Sequence, residues 1–265
     1  MHMGLAHGII GWTDVAVPDI DAGSSFYSTL FGWQAISAGP SDSMPYTMFT
    51  LDGKLVSGMG PLSQEQIEAG QTPVWSSYII VDDADAVFAA AVELGATPIM
   101  EPMQIMDSGK MAFIIDPVGA TVGFWQSGTH DGAEVFNEPG SITWNDLATR
   151  DVEAAKTFYA SLLGWELGEM PMGEDTYWTF SNQGRMNGGT WDVTGMLPDE
   201  VPSHWMAWFR VANCQETTDQ VESLGGAVLR PPSRTGVGIS AVVTDPFGAM
   251  FGVIETEQAD GQPPH

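Results

Sequence analysis

Cysteine, basic residues and long apolar runs are scarce in this 265-residue chain, and each scarcity excludes a class of protein. The single cysteine, Cys214, rules out an internal disulfide and a thiolate metal cluster, so we expect a small structural residue. Lys and Arg together number 8, against 34 Asp and Glu, and the formal net charge is −26. Since such a chain repels phosphate backbones and anionic lipids, neither nucleic acid nor a membrane is an expected partner.

The sequence also lacks the patterns typical of membrane spans, leader segments and common cofactor sites. No stretch approaches the roughly 20 consecutive apolar residues that span a bilayer, and no basic, apolar leader opens the chain, so we expect a cytoplasmic protein. The chain has no Rossmann glycine fingerprint, no haem-type cysteine context and no iron triad, and no cofactor is therefore expected. The acidity itself predicts either an adaptation for solubility or an acidic docking surface.

The chain contains one pattern of residues twice. The early landmarks recur 132 positions later, with Trp12 at Trp144, Phe26-Tyr27 at Phe158-Tyr159, and Gly32-Trp33 at Gly164-Trp165. The late landmark Asp116-Pro117-x-Gly119 recurs at Asp245-Pro246-x-Gly248, 129 positions on. This small drift predicts two homologous domains, at 8–127 and 141–257, with a linker at 128–140 and a flexible tail at 258–265.

Each repeat opens with the same local signals. An alternating strand is predicted at 10–17 and at 142–149, followed by an Asp suited to cap a helix, Asp19 or Asp151. The amphipathic helices predicted at 22–30 and 154–163 end at glycines, Gly32 and Gly164. Further strands, a second helix and a closing Asp-Pro-x-Gly hairpin follow. The pattern predicts an α+β fold with two βαβββ modules in each domain.

The ordered set of a Pro-Asp turn, Phe-Tyr-x-x-x-x-Gly-Trp and Asp-Pro-x-Gly resembles the vicinal oxygen chelate superfamily. That superfamily includes glyoxalase I, bleomycin-resistance proteins and extradiol dioxygenases. The resemblance covers about 9–127 and 141–257, and the tandem form is similar to actinobacterial glyoxalase-like proteins labelled hydroxylases or antigens. It implies two tandem glyoxalase-like domains, each a curved mixed sheet around a cavity, with the helices on the outer face.

The resemblance also implies where metal ligands would stand, and this chain departs from the pattern there. The usual ligands are a His in the first strand, a His in the fifth and a Glu in the last. Neither an imidazole nor a carboxylate stands at any corresponding position, so we expect no metal. These positions hold Trp12, Ser76 and Gly123 in the first repeat, and Trp144, Met206 and Gly252 in the second.

Strand alternation predicts which side chains face each cavity, because residues two apart share a side of the sheet. The predicted lining is aromatic, with a glycine opening one wall, and suits a small apolar or aromatic molecule. The predicted ligand-binding residues are Trp12, Tyr78, Trp125, Trp144, Met206, Trp208 and Arg210. Arg210 could pair with Asp146 as a structural ion pair or bind a carboxylate or oxyanion of the ligand, whereas Ile80 stands at the matching position of the first repeat.

One carboxylate in each repeat, Asp14 or Asp146, falls on the predicted cavity face. A carboxyl group among indoles loses solvation and is suited to acid–base catalysis, so both are candidate catalytic residues. Each could instead hydrogen-bond a neighbouring strand and serve structure alone. Tyr46 and Tyr177 could line the mouth of a cavity or belong to the core.

Three functions remain open on these residues. The chain could sequester a small ligand without metal, catalyse a metal-free isomerisation, hydration or elimination through Asp14 or Asp146, or act as a metal-dependent lyase or dioxygenase of the superfamily. The missing ligands count against the third function. Because the two domains can pair within one chain, we expect a monomer or a homodimer.

Overall fold

A computed structural model of the chain describes residues 5–38, 45–172 and 175–256. The predicted tail, 258–265, lies outside the described residues. Segment 128–140, the predicted linker, contains neither helix nor strand, and the division into domains on either side of it stays a prediction.

Sixteen strands and five helices form in the described chain. The strands of the first repeat are β1 (Ile10–Val17), β2 (Gln34–Ser37), β3 (Thr47–Leu51), β4 (Lys54–Pro61), β5 (Val74–Ile80), β6 (Thr97–Ile105), β7 (Gly109–Ile115) and β8 (Thr121–Ser127). Those of the second are β9 (Ile142–Thr149), β10 (Glu166–Met172), β11 (Asp175–Asn182), β12 (Arg185–Asp192), β13 (His204–Arg210), β14 (Ala227–Thr235), β15 (Gly238–Thr244) and β16 (Met250–Thr256). The helices are α1 (Ile20–Phe31), α2 (Gln64–Glu68), α3 (Ala84–Glu93), α4 (Val152–Leu163) and α5 (Cys214–Ser223).

The first helix of each repeat begins and ends where the capping signals predict. The Asp19 carboxylate accepts from the Ala22 N–H, and Asp151 accepts from the Ala154 N–H. Gly32 and Gly164 follow the two helices in the left-handed conformation that relieves the last turn. The predicted capping residues are therefore confirmed, but the helices begin at Ile20 and Val152, two residues before the predicted starts, and the first extends to Phe31.

Each repeat forms one mixed eight-stranded sheet. The strand order is β2-β3-β4-β1-β5-β8-β7-β6 in the first and β10-β11-β12-β9-β13-β16-β15-β14 in the second. The strands β1 and β4 pair in parallel, as do β5 and β8, and hairpins supply antiparallel pairs. This architecture confirms the predicted α+β fold of two tandem glyoxalase-like domains.

The chain packs into two compact units, and each takes residues from both repeats. Unit 1 contains the described residues of 1–12, 76–132 and 145–206, and unit 2 contains those of 13–75, 133–144 and 207–265. The core of unit 1 buries Ile79 and Phe124 from the first repeat with Phe158 from the second. The core of unit 2 likewise buries Phe49 from the first repeat with Phe209 from the second.

A buried tyrosine and aspartate link the two repeats inside each unit. In unit 1 the Tyr159 hydroxyl on α4 donates to Asp116 of the β7–β8 turn over 2.7 Å. In unit 2 Tyr27 on α1 donates to Asp245 over 2.8 Å. Burial raises the pKa of Asp116 to about 6, although backbone N–H groups also donate to its carboxylate, and it raises the pKa of Asp245 in the same direction.

Burial also lowers the reactivity of the thiol of Cys214. Cys214 is fully buried at the start of α5, and burial, followed by the nearby Glu255 carboxylate, raises its pKa to about 11. A thiol held protonated inside a core is unreactive, which agrees with the expected structural role. No helix within the described ranges has both the length and the apolar character needed to cross a membrane.

Candidate functional site

In unit 1, the sheet face opposite the core presents aromatic rings around a glycine. Tyr78 on β5 pairs in register with Gly123 on β8, which in turn pairs with Phe113 on β7. A Cβ atom on Gly123 would stand 2.5 Å from the Tyr78 ring, so the ring lies directly over the glycine backbone. The Tyr78 and Phe113 rings meet edge to face with centroids 5.1 Å apart, a favourable aromatic geometry.

A histidine lies between two of the predicted cavity indoles. The ring centroid of His130 is 4.4 Å from that of Trp12 and 5.5 Å from that of Trp125. The Trp125 Nε1–H donates to the His130 carbonyl over 2.8 Å, and all three side chains are buried. Because His130 belongs to the predicted linker, strand alternation could not place it beside Trp12.

The predicted catalytic residue Asp146 is buried in unit 1, where the Tyr177 hydroxyl donates to its Oδ1. Asp146 pairs in register with Gly189 on β12, and a Cβ atom on Gly189 would stand 2.1 Å from the Tyr177 hydroxyl oxygen. Glycine at this position therefore lets the phenol reach the carboxylate. The Tyr177 ring stacks on Trp191 at 6.2 Å, which holds the phenol in place.

Unit 2 contains the equivalent arrangement in a more open form. The Tyr46 hydroxyl donates to Asp14 Oδ2 over 3.0 Å, and Asp14 is half-buried rather than buried. Asp14 pairs in register with Gly58 on β4. Each candidate catalytic carboxylate thus accepts a hydrogen bond from a tyrosine of its own repeat, which orients one carboxylate oxygen. The catalytic role of Asp14 and Asp146 stays a prediction.

The second predicted ligand-binding face lies in unit 2. Trp208 on β13 pairs with Gly252 on β16, and a Cβ atom on Gly252 would stand 2.1 Å from the indole. The buried Arg210 donates from Nη1 to the Asn137 carbonyl over 2.5 Å. The exposed Arg230 on β14, which strand alternation did not single out, places its guanidinium carbon 5.6 Å from the Trp208 ring centroid.

The other two predicted ligand-binding residues lie at strand positions with different exposure. Trp144 on β9 is half-buried in unit 2, and Met206 on β13 is 6% exposed in unit 1. Their roles in ligand binding stay predictions. Asn187 on β12, which is not among the predicted site residues, is buried, and its side chain accepts from the Ile10 N–H and donates to the Gly8 carbonyl.

The six positions at which related enzymes hold a metal do not fit one here. Trp12 packs against His130, and Gly252 lies beneath the Trp208 indole, so neither offers a donor atom. Across residues 5–38, 45–172 and 175–256, no group of three or more His, Cys, Asp or Glu side chains could hold a metal ion.

A shallow depression of about 360 Å³ lies elsewhere in unit 1, at the start of α4. Arg150 and Trp178 contribute to its walls, but Arg150 donates to the carbonyls of Pro198 and Val201. The Lys156 ammonium already occupies the face of Trp178, 3.2 Å from the ring centroid. These groups stabilise a loop and a helix, and the depression is distinct from the predicted ligand-binding faces.

The chain belongs to the Glyoxalase/Bleomycin resistance protein/Dioxygenase superfamily, whose family model matches residues 9–124 and 140–253. It is 35% identical over 253 residues to the "Putative glyoxylase CFP32" of Mycobacterium bovis, covering 94% of this chain and 95% of that protein. It is 33% identical to the "Anthracycline biosynthesis protein DnrV" of Streptomyces peucetius, over 96% of this chain and 95% of that protein.

Solved structures confirm the fold at much lower sequence identity. The 2,3-dioxygenase LapB from Pseudomonas sp. KL28 superposes with a TM-score of 0.64 at 15% identity, over 98% of this chain and 97% of that one. The Mn(II)-bound glyoxalase from Novosphingobium aromaticivorans gives 0.63 at 14% identity, over 96% and 85%. At such identities the likeness concerns the fold alone.

Proposed function

We propose that this protein binds a small apolar or aromatic organic molecule without a metal ion, and that Asp146 or Asp14 can act as an acid–base group on it. The observation that carries the proposal is the unit 1 face on which Tyr78, Phe113, Trp125 and Trp12 lie around a glycine and a buried histidine. Flat apolar ligands are recognised by such aromatic walls, which supply contact area at little entropic cost.

The same proposal explains why a phenol accompanies each carboxylate. A general base has to lie within hydrogen-bond reach of the proton that it removes, and a fixed carboxylate keeps that geometry. In unit 1 the stacking of Tyr177 on Trp191 fixes the phenol, and the phenol fixes Asp146. Asp146, being the more buried of the two carboxylates, is the better candidate for proton transfer.

Native mass spectrometry of freshly purified protein, with no metal added, tests the first half of the proposal. We expect a mass without a transition metal, and a co-purified organic molecule would identify the ligand. An anthracycline aglycone is a suitable probe, since two relatives are named for anthracycline biosynthesis and the aglycone is flat. Lacking the amino sugar, it is not attracted by the net charge of −26, and its binding can be followed by quenching of tryptophan fluorescence.

A transition metal bound in stoichiometric amount would contradict the proposal and favour the metal-dependent lyase or dioxygenase. Replacing Tyr78 by Ala removes one aromatic wall, and we expect it to weaken aglycone binding by about tenfold or more, the size of one good aromatic contact. Binding that is unchanged in Tyr78→Ala would place the ligand away from this face.

The Asp146→Asn variant tests the second half of the proposal, that this carboxylate acts as an acid–base group. We expect it to keep ligand affinity within about threefold and to lower turnover of any converted compound by roughly 10²–10⁴-fold, the usual contribution of a general base. The control is Asp192→Asn, which removes the same charge from an exposed position. If turnover survives in Asp146→Asn, that residue is structural and the parallel Asp14→Asn variant decides whether the other carboxylate is the base.

We also expect a cytoplasmic protein that is a monomer or a homodimer and that binds neither nucleic acid nor a membrane. The net charge of −26 supports the last two expectations. Light scattering coupled to size-exclusion chromatography would give the oligomeric state directly.

A further inference from the structure

Equivalent strand positions in the two repeats hold side chains of different polarity. Along β5, β8, β7 and β6, one row across the sheet of the first repeat is Tyr78, Gly123, Phe113 and Met100. The corresponding row along β13, β16, β15 and β14 of the second repeat is Trp208, Gly252, Val242 and Arg230. An apolar methionine in one repeat is thus replaced by an arginine in the other.

The adjacent row of residues is also apolar in the first repeat and more polar in the second. In the first repeat it contains Ile80, Trp125, Met111 and Met103, all apolar. In the second repeat the same positions hold Arg210, Ile254, Ser240 and Ser233. Registered pairs in neighbouring strands share a face of the sheet, so unit 2 presents a polar, cationic face where unit 1 presents an apolar one.

Contacts within unit 2 bring the polar groups together. The Arg230 guanidinium carbon is 5.6 Å from the Trp208 ring centroid, and Arg230 Nη2 donates to the Ser240 hydroxyl over 3.3 Å. Arg210 lies one row away, buried and anchored through Nη1 to the Asn137 carbonyl. Two guanidinium groups on one small face are unusual in a chain with only 8 basic residues.

A buried donor on the same face is also directed to no protein acceptor. Trp208 is 6% exposed, and its Nε1–H finds no hydrogen-bond partner among the described residues. A buried N–H without an acceptor costs about 1–3 kcal/mol and generally has a reason. An anionic oxygen supplied by a ligand would accept this hydrogen bond and attract the Arg230 guanidinium, which lies beside the same indole.

We propose that the face formed by Trp208, Arg210, Arg230 and Ser240 binds an anionic group, a carboxylate or phenolate, on a flat organic ligand. The inference rests on the proposed function only in taking a flat organic molecule as the kind of ligand, and it adds a second binding face, in unit 2, that recognises such a molecule by its charge. The two arginines provide charge-assisted hydrogen bonds, Ser240 and Trp208 provide neutral donors, and the Trp208 ring packs against the flat body.

The test compares two probes of the same ring and nearly the same shape by isothermal titration: naphthalene-2-carboxylate, which is anionic, and naphthalene-2-carboxamide, which is neutral. We expect the wild-type protein to bind the carboxylate at least about tenfold more tightly, equivalent to about 1.4 kcal/mol. Arg230→Met, which installs the residue that the first repeat has there, should abolish this preference and leave carboxamide affinity within about threefold. Trp208→Phe, which keeps an aromatic ring but removes the indole N–H, should reduce the preference by part of that factor.

The matched control is Arg234→Met, on the same strand but paired with Ile239, whose side chain packs on the opposite, core side of the sheet. It makes the same change in net charge and should keep the preference. The inference is overturned if the wild type does not prefer the carboxylate, if neither probe binds, or if Arg234→Met lowers the preference as much as Arg230→Met. Aglycone binding by the Tyr78 face is measured separately, so its failure would overturn the proposed function and not be confused with these results.

Discussion

At the scale of single residues, several glycines in this protein are required by the ring that lies over them. Gly252 is buried beneath Trp208, and Gly123 lies beneath Tyr78 in the same way. In both cases the nearest atoms that a new side chain would meet belong to an aromatic ring, which moves only as a whole. Sequence alternation predicts that these glycines share a face with the rings, but not that the rings touch them.

The Gly252→Ala variant tests this requirement. A Cβ atom at 2.1 Å from the Trp208 ring forces the indole to move, and we expect the free energy of unfolding to fall by about 1–3 kcal/mol, as in other overpacked cores. Chemical denaturation followed by circular dichroism measures the change. Gly236→Ala, where no heavy atom lies within 4 Å, is the control and should change stability by less than about 0.5 kcal/mol.

At the scale of elements, the Asp-Pro-x-Gly turns do more than reverse the chain. The Asp116 carboxylate at the β7–β8 turn accepts from the Val118 and Ala120 N–H groups of its own turn and from Tyr159 of α4. The spacing of the motif predicts the turn. The tyrosine, 43 positions away, becomes a partner only through tertiary packing.

The raised pKa of Asp116 predicts a pH dependence of stability. Its folded-state pKa is about 6, compared with 3.8 for an ordinary Asp. The folded state therefore binds the proton more tightly, so this group's contribution is fully present below about pH 4 and is lost as pH rises through 6. At about 1.4 kcal/mol per pKa unit, the loss amounts to roughly 3 kcal/mol.

The difference between wild type and Asp116→Asn isolates this effect from the other carboxylates. We expect the wild-type free energy of unfolding, measured in urea from pH 4 to 7, to fall more steeply with pH than that of Asp116→Asn. Parallel pH profiles for the two proteins would mean that the carboxylate is already ionised across the range, with its donors outweighing burial.

At the scale of the whole molecule, each compact unit depends on both repeats. Phe26 and Phe49 of the first repeat share a core with Phe209 and Phe251 of the second in unit 2, and Tyr27 and Asp245 form a buried hydrogen bond there. Residues of both repeats also share the core of unit 1. Cutting the chain between repeats therefore divides both cores.

Expression of the fragments 1–132 and 133–265 tests this dependence. Each fragment alone exposes half of two hydrophobic cores, so we expect it to be unfolded or self-associated. Mixing the fragments should restore a cooperative thermal transition and a 1:1 complex, measured by circular dichroism and native mass spectrometry. Two fragments that each fold as stable monomers would contradict the dependence.

The local and repeated features of this protein are predictable from its sequence alone. Helix caps such as Asp19 and Gly32 depend on neighbouring residues, and the duplicated pattern of Trp12 and Trp144 needs only comparison along the chain. The strand boundaries at Ile10–Val17 and Ile142–Thr149 were predicted to the residue, because alternation over eight residues is a local property.

Contacts between residues far apart in the chain depend on tertiary packing. It placed His130 between Trp12 and Trp125, brought Tyr177 to Asp146, and set Arg230 over Trp208. Met100 and Met103 lie in strand β6, which forms because β7 supplies its antiparallel partner. These outcomes depend on strand register and on packing between segments far apart in the chain, and alternation along one strand contains no information about its neighbour.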